Sequence, residues 1–382
     1  MVLKQKVVVL CLTFSLVLAA SLVFAADVTL NFVTAGDVNM VEYVKNQIGP
    51  IFQKDNPGIT INVVGTGPGP AGSRKILEKL QAQKDQPEWD VDVAVVHEAG
   101  AIWMLTDDLL LKYTDKIENS KLVTSASAKF SLGANVEGYV LPMFQSQTVL
   151  AYNASKIPNP PKSYEELVEW AKANPGKFGY NGITQGMSGI SFVTGWLYWK
   201  TGQYEILAQK GPYDKKYEES WPKIFEELKA FNKYVTITSG NAGTLDMLNR
   251  GEIWMGPVWV DMFYLWQKEG KMPPDVHLLL PSPGMPGQPM FYVIPKNAKN
   301  KEAAYKFINF AISPKIQAEY IVKGFTWYPG ISPEAVKPYL AKEDWEKLFI
   351  DVTPEDLANN GKNFPIQEYF NDMLEMYEEY SG

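Results

Sequence analysis

Residues 137–171 read EGYVLPMFQSQTVLAYNASKIPNPPKSYEELVEWA, and the organisation of the whole chain turns on them. Tyr139, Val140 and Leu141 form a short apolar run that Pro142 interrupts, which argues against an interior strand position there. The polar tetrad Gln145, Ser146, Gln147 and Thr148 then separates it from a second strand, Val149-Leu150-Ala151-Tyr152. Pro158, Pro160 and Pro161 hold an extended connector, since each fixes φ and disfavours helix before it. Ser163 with Glu166 three residues on is a capping box, followed by Leu167, Trp170 and Ala171 at helical spacing. A polar passage between two strands, then a fresh strand-and-helix unit, is expected where a chain leaves one lobe for another.

The residues before this passage alternate short strands with helices. Strands are expected at 28–33, 59–64 and 91–96, ending at the loops 34–39 and 65–72 and at His97-Glu98. A helix through Val41, Val44, Ile48 and Ile51 separates the first two strands, and another opens at Ser73 with Ile76, Leu77 and Leu80 on one face. Strands about thirty residues apart with helices between them predict βαβ units and a mostly parallel sheet. Ligands of such sheets sit beyond the carboxyl ends of the strands. After the passage, a Gly/Ser/Thr-rich segment from Gly182 leads into an aromatic helix with Trp196, Tyr198 and Trp199. Ile253 to Asp261 reads as a strand and turn, and Met290 to Pro295 as a second crossing strand.

The amino terminus points to export. Lys4 and Lys6 precede an apolar run from Val7 to Leu22, and Val23-Phe24-Ala25 supplies small residues for cleavage before Ala26. The sole cysteine, Cys11, lies inside that run behind Leu10, a poor context for lipid attachment, and a chain without it has no disulfide or thiolate metal site. The net charge is −7, and loss of the leader's two lysines makes it −9. An acidic chain without basic clusters is a poor partner for nucleic acid. The 382 residues fit roughly two domains, and no second apolar stretch is long enough to span a membrane.

Four blocks together resemble the extracellular solute-binding proteins of bacterial ABC importers, the broad family that includes maltose- and glycerol-phosphate-binding proteins. They are the passage at 137–170, LNRGEIWMGPVWVDMF at 248–263, FYVIPKNAKNKEAAYKFINFAISPKIQAEYI at 291–321, and the secretion leader. The resemblance implies a two-lobed α/β fold of the type II periplasmic-binding-protein class, each lobe a mostly parallel sheet flanked by helices, with the ligand cleft between lobes. The implied parts are a leader at 1–25, an amino-terminal lobe at 26–143 plus 294–322, and a second lobe at 144–293 plus 323–382. The implied function is capture of a small polar solute by lobe closure and delivery to a membrane permease with its ATPase. The resemblance implies a monomer without a cofactor, and closure needs no catalysis.

Candidate contacts follow from the loops at strand ends. Gly72, Ser73 and Arg74 lie in GTGPGPAGSRK, which lacks the Gly-Lys-Ser/Thr ending of a nucleotide loop but offers helix-start N–H groups. Arg74 stands out because the chain has only one other arginine, Arg250. Asp37 and Asn39 either cap the helix that follows or bind the solute, with capping favoured for Asn39. His97 and Glu98 follow the third strand, and two histidines without cysteine leave little for a metal. At least one of Gln145 and Gln147 is expected to face the cleft, and Gln185 and Ser188 are further hydrogen-bonding candidates. In the resembling sugar binders the aromatic after the Gly-Pro step stacks on a pyranose. Trp259 matches it, though Val258 and Asp261 depart from the usual pattern. Trp327 is a secondary candidate at the last passage.

Trp259 with Asp261 suits a sugar or polyol first, since carboxylates accept from hydroxyls and aromatic faces pack on rings. A phosphorylated or carboxylated solute ranks next because of the Gly-rich loop and Arg74, then a polyamine through cation–π and charge contacts. A secreted glycoside hydrolase would need two carboxylates across a cleft, which Asp37, Glu98 and Asp261 could supply. A serine hydrolase is disfavoured, because Gly186-Met187-Ser188-Gly189 lacks the glycine two residues after the serine. An iron-binding relative is disfavoured by the missing tyrosine pair.

Overall fold

The structure, a computed structural model, describes residues 28–208 and 211–381; the leader expected at 1–25 lies outside the described residues. Strand β1 (Val28–Ala35) is the centre of a parallel trio, flanked by β2 (Ile59–Gly67) and β3 (Val93–His97). Period-two alternation sends Leu30 and Phe32 into one core, and Val33 and Ala35 into the core on the other face. β2 is the edge strand, and its side chains alternate between half-buried and exposed.

The passage at 137–171 differs from its sequence reading in an instructive way. Leu141 to Asn153 is one continuous strand, β4, rather than two strands parted by a polar tetrad. Its first half pairs antiparallel with β9 (Met285–Val293), from Leu141–Tyr292 to Gln147–Gly287. From Thr148 onward it pairs with β7 (Met255–Trp259) and with β8 (Val276–Leu279). Pro142 sits inside the sheet after all. It lies opposite Phe291 beside a register shift at Met290/Phe291, an irregularity of the kind that accommodates a missing backbone donor.

Two further strands complete the second half, β5 (Phe178–Tyr180) and β6 (Val235–Ile237), both parallel to their neighbours. The sheet order is β2-β1-β3-β9-β4-β7-β5-β6, one mixed sheet that runs through both lobes. β4 and β9 are therefore the two long connections between lobes. A short strand, β10 (Tyr328–Pro329), pairs with β4 at Gln145 and Phe144.

Phe325, Trp327, Ile331, Val336 and Leu348 are buried in the same core as Leu30 and Phe32. Ser163 caps the helix Tyr164–Ala173, with Glu166 N–H donating to Ser163 Oγ at 3.1 Å, but the expected box is incomplete, because the Glu166 carboxylate accepts from Lys162 N–H at 2.7 Å and not from Ser163 N–H. The helix after β1 runs from Val38–Glu42 through a π-helical stretch, Tyr43–Ile48, into Gly49–Asp55. The wider π turn shifts the buried face, so Met40, Tyr43, Val44, Ile48 and Phe52 are buried, while Val41 and Ile51 are only half-buried.

Candidate functional site

Several helices begin at one cleft. Asp37 precedes the segment Val38–Glu42, Gly69 opens Gly69–Gln81, Met187 opens Met187–Thr201, Asn241 is second in Gly240–Asn249, and Asp261 is second in Val260–Lys268. All of them line one narrow cleft with a cavity volume of about 50 Å³. Its floor is the β4/β9 ribbon, through Phe144, Ser146, Gln288 and Met290. The turn into the first helix needs Gly36, whose φ of +105° few side chains tolerate.

Two carboxylates meet here from opposite sides. Asp261 is buried and accepts a short hydrogen bond from Ser146 Oγ. Burial pushes its carboxyl up to about 7; the Asp37 charge adds to the rise, and the bond from Ser146 opposes it. Burial raises the Asp37 carboxyl too, against the lowering effect of Asn241. Asn241 Nδ2 donates to Asp37 Oδ2 at 2.9 Å. The amide can face only that way, because its Oδ1 already accepts from Ser188 Oγ (2.8 Å), Ser188 N–H (3.2 Å) and Asn181 Nδ2 (3.3 Å). Among the described residues no Lys or Arg lines the cleft. Trp259 and the thioethers of Met40, Met187, Met262 and Met290 supply its apolar surface.

Of the residues expected at the site, Asp37, Asn39, His97, Trp259 and Asp261 lie together in this cleft. Asn39 does not cap the helix. It is the second helical residue, and its buried amide has no partner. Burial lowers His97 to about 4, so the ring is neutral, and its Nδ1 lies 2.7 Å from Ser73 Oγ. Ser73 thus holds His97 and does not itself line the cleft.

The remaining expectations lie elsewhere. The helix begins at Gly69, four residues before Ser73, and Gly72 packs against the preceding loop: a Cβ there would fall 1.8 Å from Gly67 O. Arg74 lies over the Trp103 ring at 5.0 Å and lines an outer groove with Asp107, Glu375 and Glu378. Gln145 and Gln147 line a second chamber and not this cleft, although Ser146 and Gln288 border both. Gln147 Nε2 is spent on Met285 O (2.6 Å) and Thr148 O (3.0 Å). Glu98 lines that same chamber, accepts from Ser131 Oγ at 2.6 Å, and is raised to about 7 by burial. Gln185 is exposed. Ser188 is buried beneath Asn241, and Trp327 is fully buried, stacked on Phe144 at 4.2 Å.

Sequence reasoning missed Ser146, Asn241 and Gln288. Ser146 was within view, since strand alternation puts the residue between two outward glutamines on the inner face. Asn241 follows Ser239-Gly240 at a helix start, which resembles an ordinary cap and carries no signal of its own.

The chain is similar in structure to several transport proteins. The spermidine/putrescine ABC transporter substrate-binding protein of Streptococcus pneumoniae superposes with a TM-score of 0.68 at 16% identity, covering 93% of this chain and 100% of that one. An ABC transporter substrate-binding protein of Bradyrhizobium japonicum gives 0.69 at 19%, again covering 93% and 100%. The Atu4243 GABA receptor gives 0.65 at 21%, covering 92% and 96%. At such identities the likeness speaks for the fold, that of two-lobed binding proteins. No curated protein matches the chain. A family profile described as bacterial extracellular solute-binding protein matches residues 47–349. With most of its length matched and this fold around an interlobe cleft, the chain belongs to the bacterial extracellular solute-binding proteins.

Proposed function

We propose that this chain captures a small organic cation, an amine, and hands it to the permease of an ABC importer. One observation carries the reading: Asp37 and Asp261, from opposite sides of one cleft, face it without any Lys or Arg among the described residues of its lining. Two carboxylates sharing a partly dry site repel each other, and a cation between them relieves that repulsion. Trp259 offers a ring face to an ammonium group, and four methionines offer polarizable surface to an alkyl chain. Helix starts would otherwise favour an anionic solute, but here Asp37 and Asp261 already occupy two of them. Arg74, the residue that favoured a phosphorylated solute, lines another groove.

A carbohydrate, ranked first on sequence, keeps the support of Trp259 and the two hydrogen-bond-accepting carboxylates. Among the structural neighbours, one is named for spermidine and putrescine, which are amines, and another for GABA, which carries an amine and a carboxylate. Exported by its leader, the protein would act as a monomer outside the cytoplasmic membrane, closing on solute and docking on permease and ATPase subunits. The burial of Phe325, Trp327, Ile331, Val336 and Leu348 in the core beneath β1 supports a revised boundary, with the third passage between lobes beyond Leu348.

A thermal-shift panel of amines, sugars, polyols and sugar phosphates tests the reading, since a solute that binds only the folded protein raises Tm. Stabilisation by amines that is lost in Asp261→Asn is the expected result. Stabilisation by sugars alone would return the carbohydrate reading to first place.

A further inference from the structure

Two side chains in the cleft are left with unmet hydrogen bonds. Asn39 is 6% exposed, lines the cleft, and has no partner for either Oδ1 or Nδ2. Gln288, on β9, is 8% exposed and its Oε1 is likewise unpartnered. Buried polar groups are almost always satisfied, so orphans that line a ligand cleft indicate what the ligand brings. Helix capping does not account for Asn39, and the nearby Asp37 carboxylate serves Asn241 instead.

The amide inventory restricts the solute. Asn39 Oδ1 and Gln288 Oε1 accept, and an ammonium group can donate to both. Asn39 Nδ2 can only donate, and an ammonium has nothing with which to accept. A plain alkyl diamine therefore leaves Nδ2 unpaired. A solute carboxylate or phosphate would accept from it, but would face Asp37 and Asp261 without a cation in the lining. A neutral oxygen remains.

We propose that the solute is a primary amine that also carries a hydroxyl or carbonyl oxygen, and that Asn39 selects for that oxygen. The proposal rests on the reading of the cleft as a cation site. It covers amino alcohols, amino sugars and amino amides, which share this donor–acceptor chemistry. It also makes Asn39 a specificity-determining residue, since loss of an acceptor leaves a buried donor unpaired.

Calorimetric titration of the mature protein with butylamine, butane-1,4-diamine, 4-aminobutan-1-ol, 4-aminobutanamide and glucosamine tests it. At least one oxygen-bearing amine should bind about tenfold or more tighter than butylamine and the diamine, the scale of one satisfied buried hydrogen bond. Which of the three does so separates hydroxyl from carbonyl and open chain from ring. Asn39→Leu, similar in size without polar atoms, should erase the preference and raise the Tm of the solute-free protein. Asn39→Asp, which loses the donor but keeps the shape, should erase it too if the leucine variant fails to fold. Equal or tighter binding of the plain diamine overturns the proposal, as does a preference that survives both substitutions. In either case binding of plain amines that depends on Asp261 leaves the cation reading standing, whereas no amine binding at all removes both.

Discussion

Asn241 Nδ2 reaches across the cleft to Asp37 Oδ2 at 2.9 Å, and the amide's other end is fully committed to Ser188 and Asn181. The lobes thus touch through a donor whose direction is set before any solute arrives. On the proposed function, the other oxygen of Asp37 would meet the solute, and the same carboxylate would serve closure and capture. A hydrogen bond to a charged group contributes about 1.5–3 kcal/mol, enough to bias an open–closed equilibrium that lies within a few kcal/mol of balance.

Asn241→Ala should therefore make the solute-free protein more open, seen as a larger radius of gyration in small-angle scattering. Affinity should fall by about tenfold or more, because a rarer closed state weakens apparent binding in proportion. Asn241→Asp should act more strongly, since it places a third carboxylate opposite Asp37. An unchanged radius in both variants would dismiss the contact as a latch.

Asp261→Asn should separate binding from stability. Removing one partner of a buried charge pair typically costs about 2–5 kcal/mol, so amine affinity should fall by at least about thirtyfold. The folded solute-free protein should nevertheless gain stability at pH 8. The Asp261 carboxyl holds its proton up to about 7, well above its ordinary value of 3.8. The native state then binds more protons than the unfolded one between those values, and stability drains away as pH rises through that window. Asparagine carries no such penalty, so the Tm gain over wild type should appear at pH 8 and vanish near pH 4.

The same carboxyl makes binding pH-dependent. A cation draws out the charged form, so amine affinity should be flat above pH 8 and fall towards tenfold per unit below pH 6. Near pH 7 binding should release a fraction of a proton, readable as a dependence of the calorimetric heat on the buffer's ionisation enthalpy. In Asp261→Asn both effects should disappear, with any remaining slope assigned to Asp37.

Two tryptophans make a contrasting pair. Trp259 lines the cleft, whereas Trp327 is buried behind Phe144. Trp259→Ala should weaken solute binding by at least about tenfold with a modest change in Tm. Trp327→Ala should lower stability by about 3–5 kcal/mol and affect affinity only through Phe144. The reverse pattern in paired melting and titration experiments would exchange their roles.

The fold was legible because its signals are local and periodic: alternation in Val28–Ala35, the helix cap at Ser163, and strand–helix spacing. The join between lobes was harder. Gln145 to Thr148 looked like a break because polar residues are rare inside buried strands, yet here they stand where a strand changes partners within one sheet and a cleft opens on each face. The inner core signal failed at Trp327, whose burial depends on Phe144 and Tyr43, far away in sequence. Asp37, Trp259 and Asp261 were visible as strand-end residues of the right chemistry. Asn241 was not, since its role depends on a residue in the other lobe.

The unbroken course of β4 has a mechanical consequence. At Gln147 its partner is Gly287, and one residue later at Thr148 the partner is Trp259. The ribbon exchanges neighbours at this point without the chain leaving extended form. Rotation there can proceed as torsion of a strand, with no ladder hydrogen bond surrendered, so its restoring force resembles that of a torsion wire more than a latch or a melted loop. The amides of Phe144 and Leu150, paired on both sides of that point, should remain slow to exchange with solvent in open and closed forms alike.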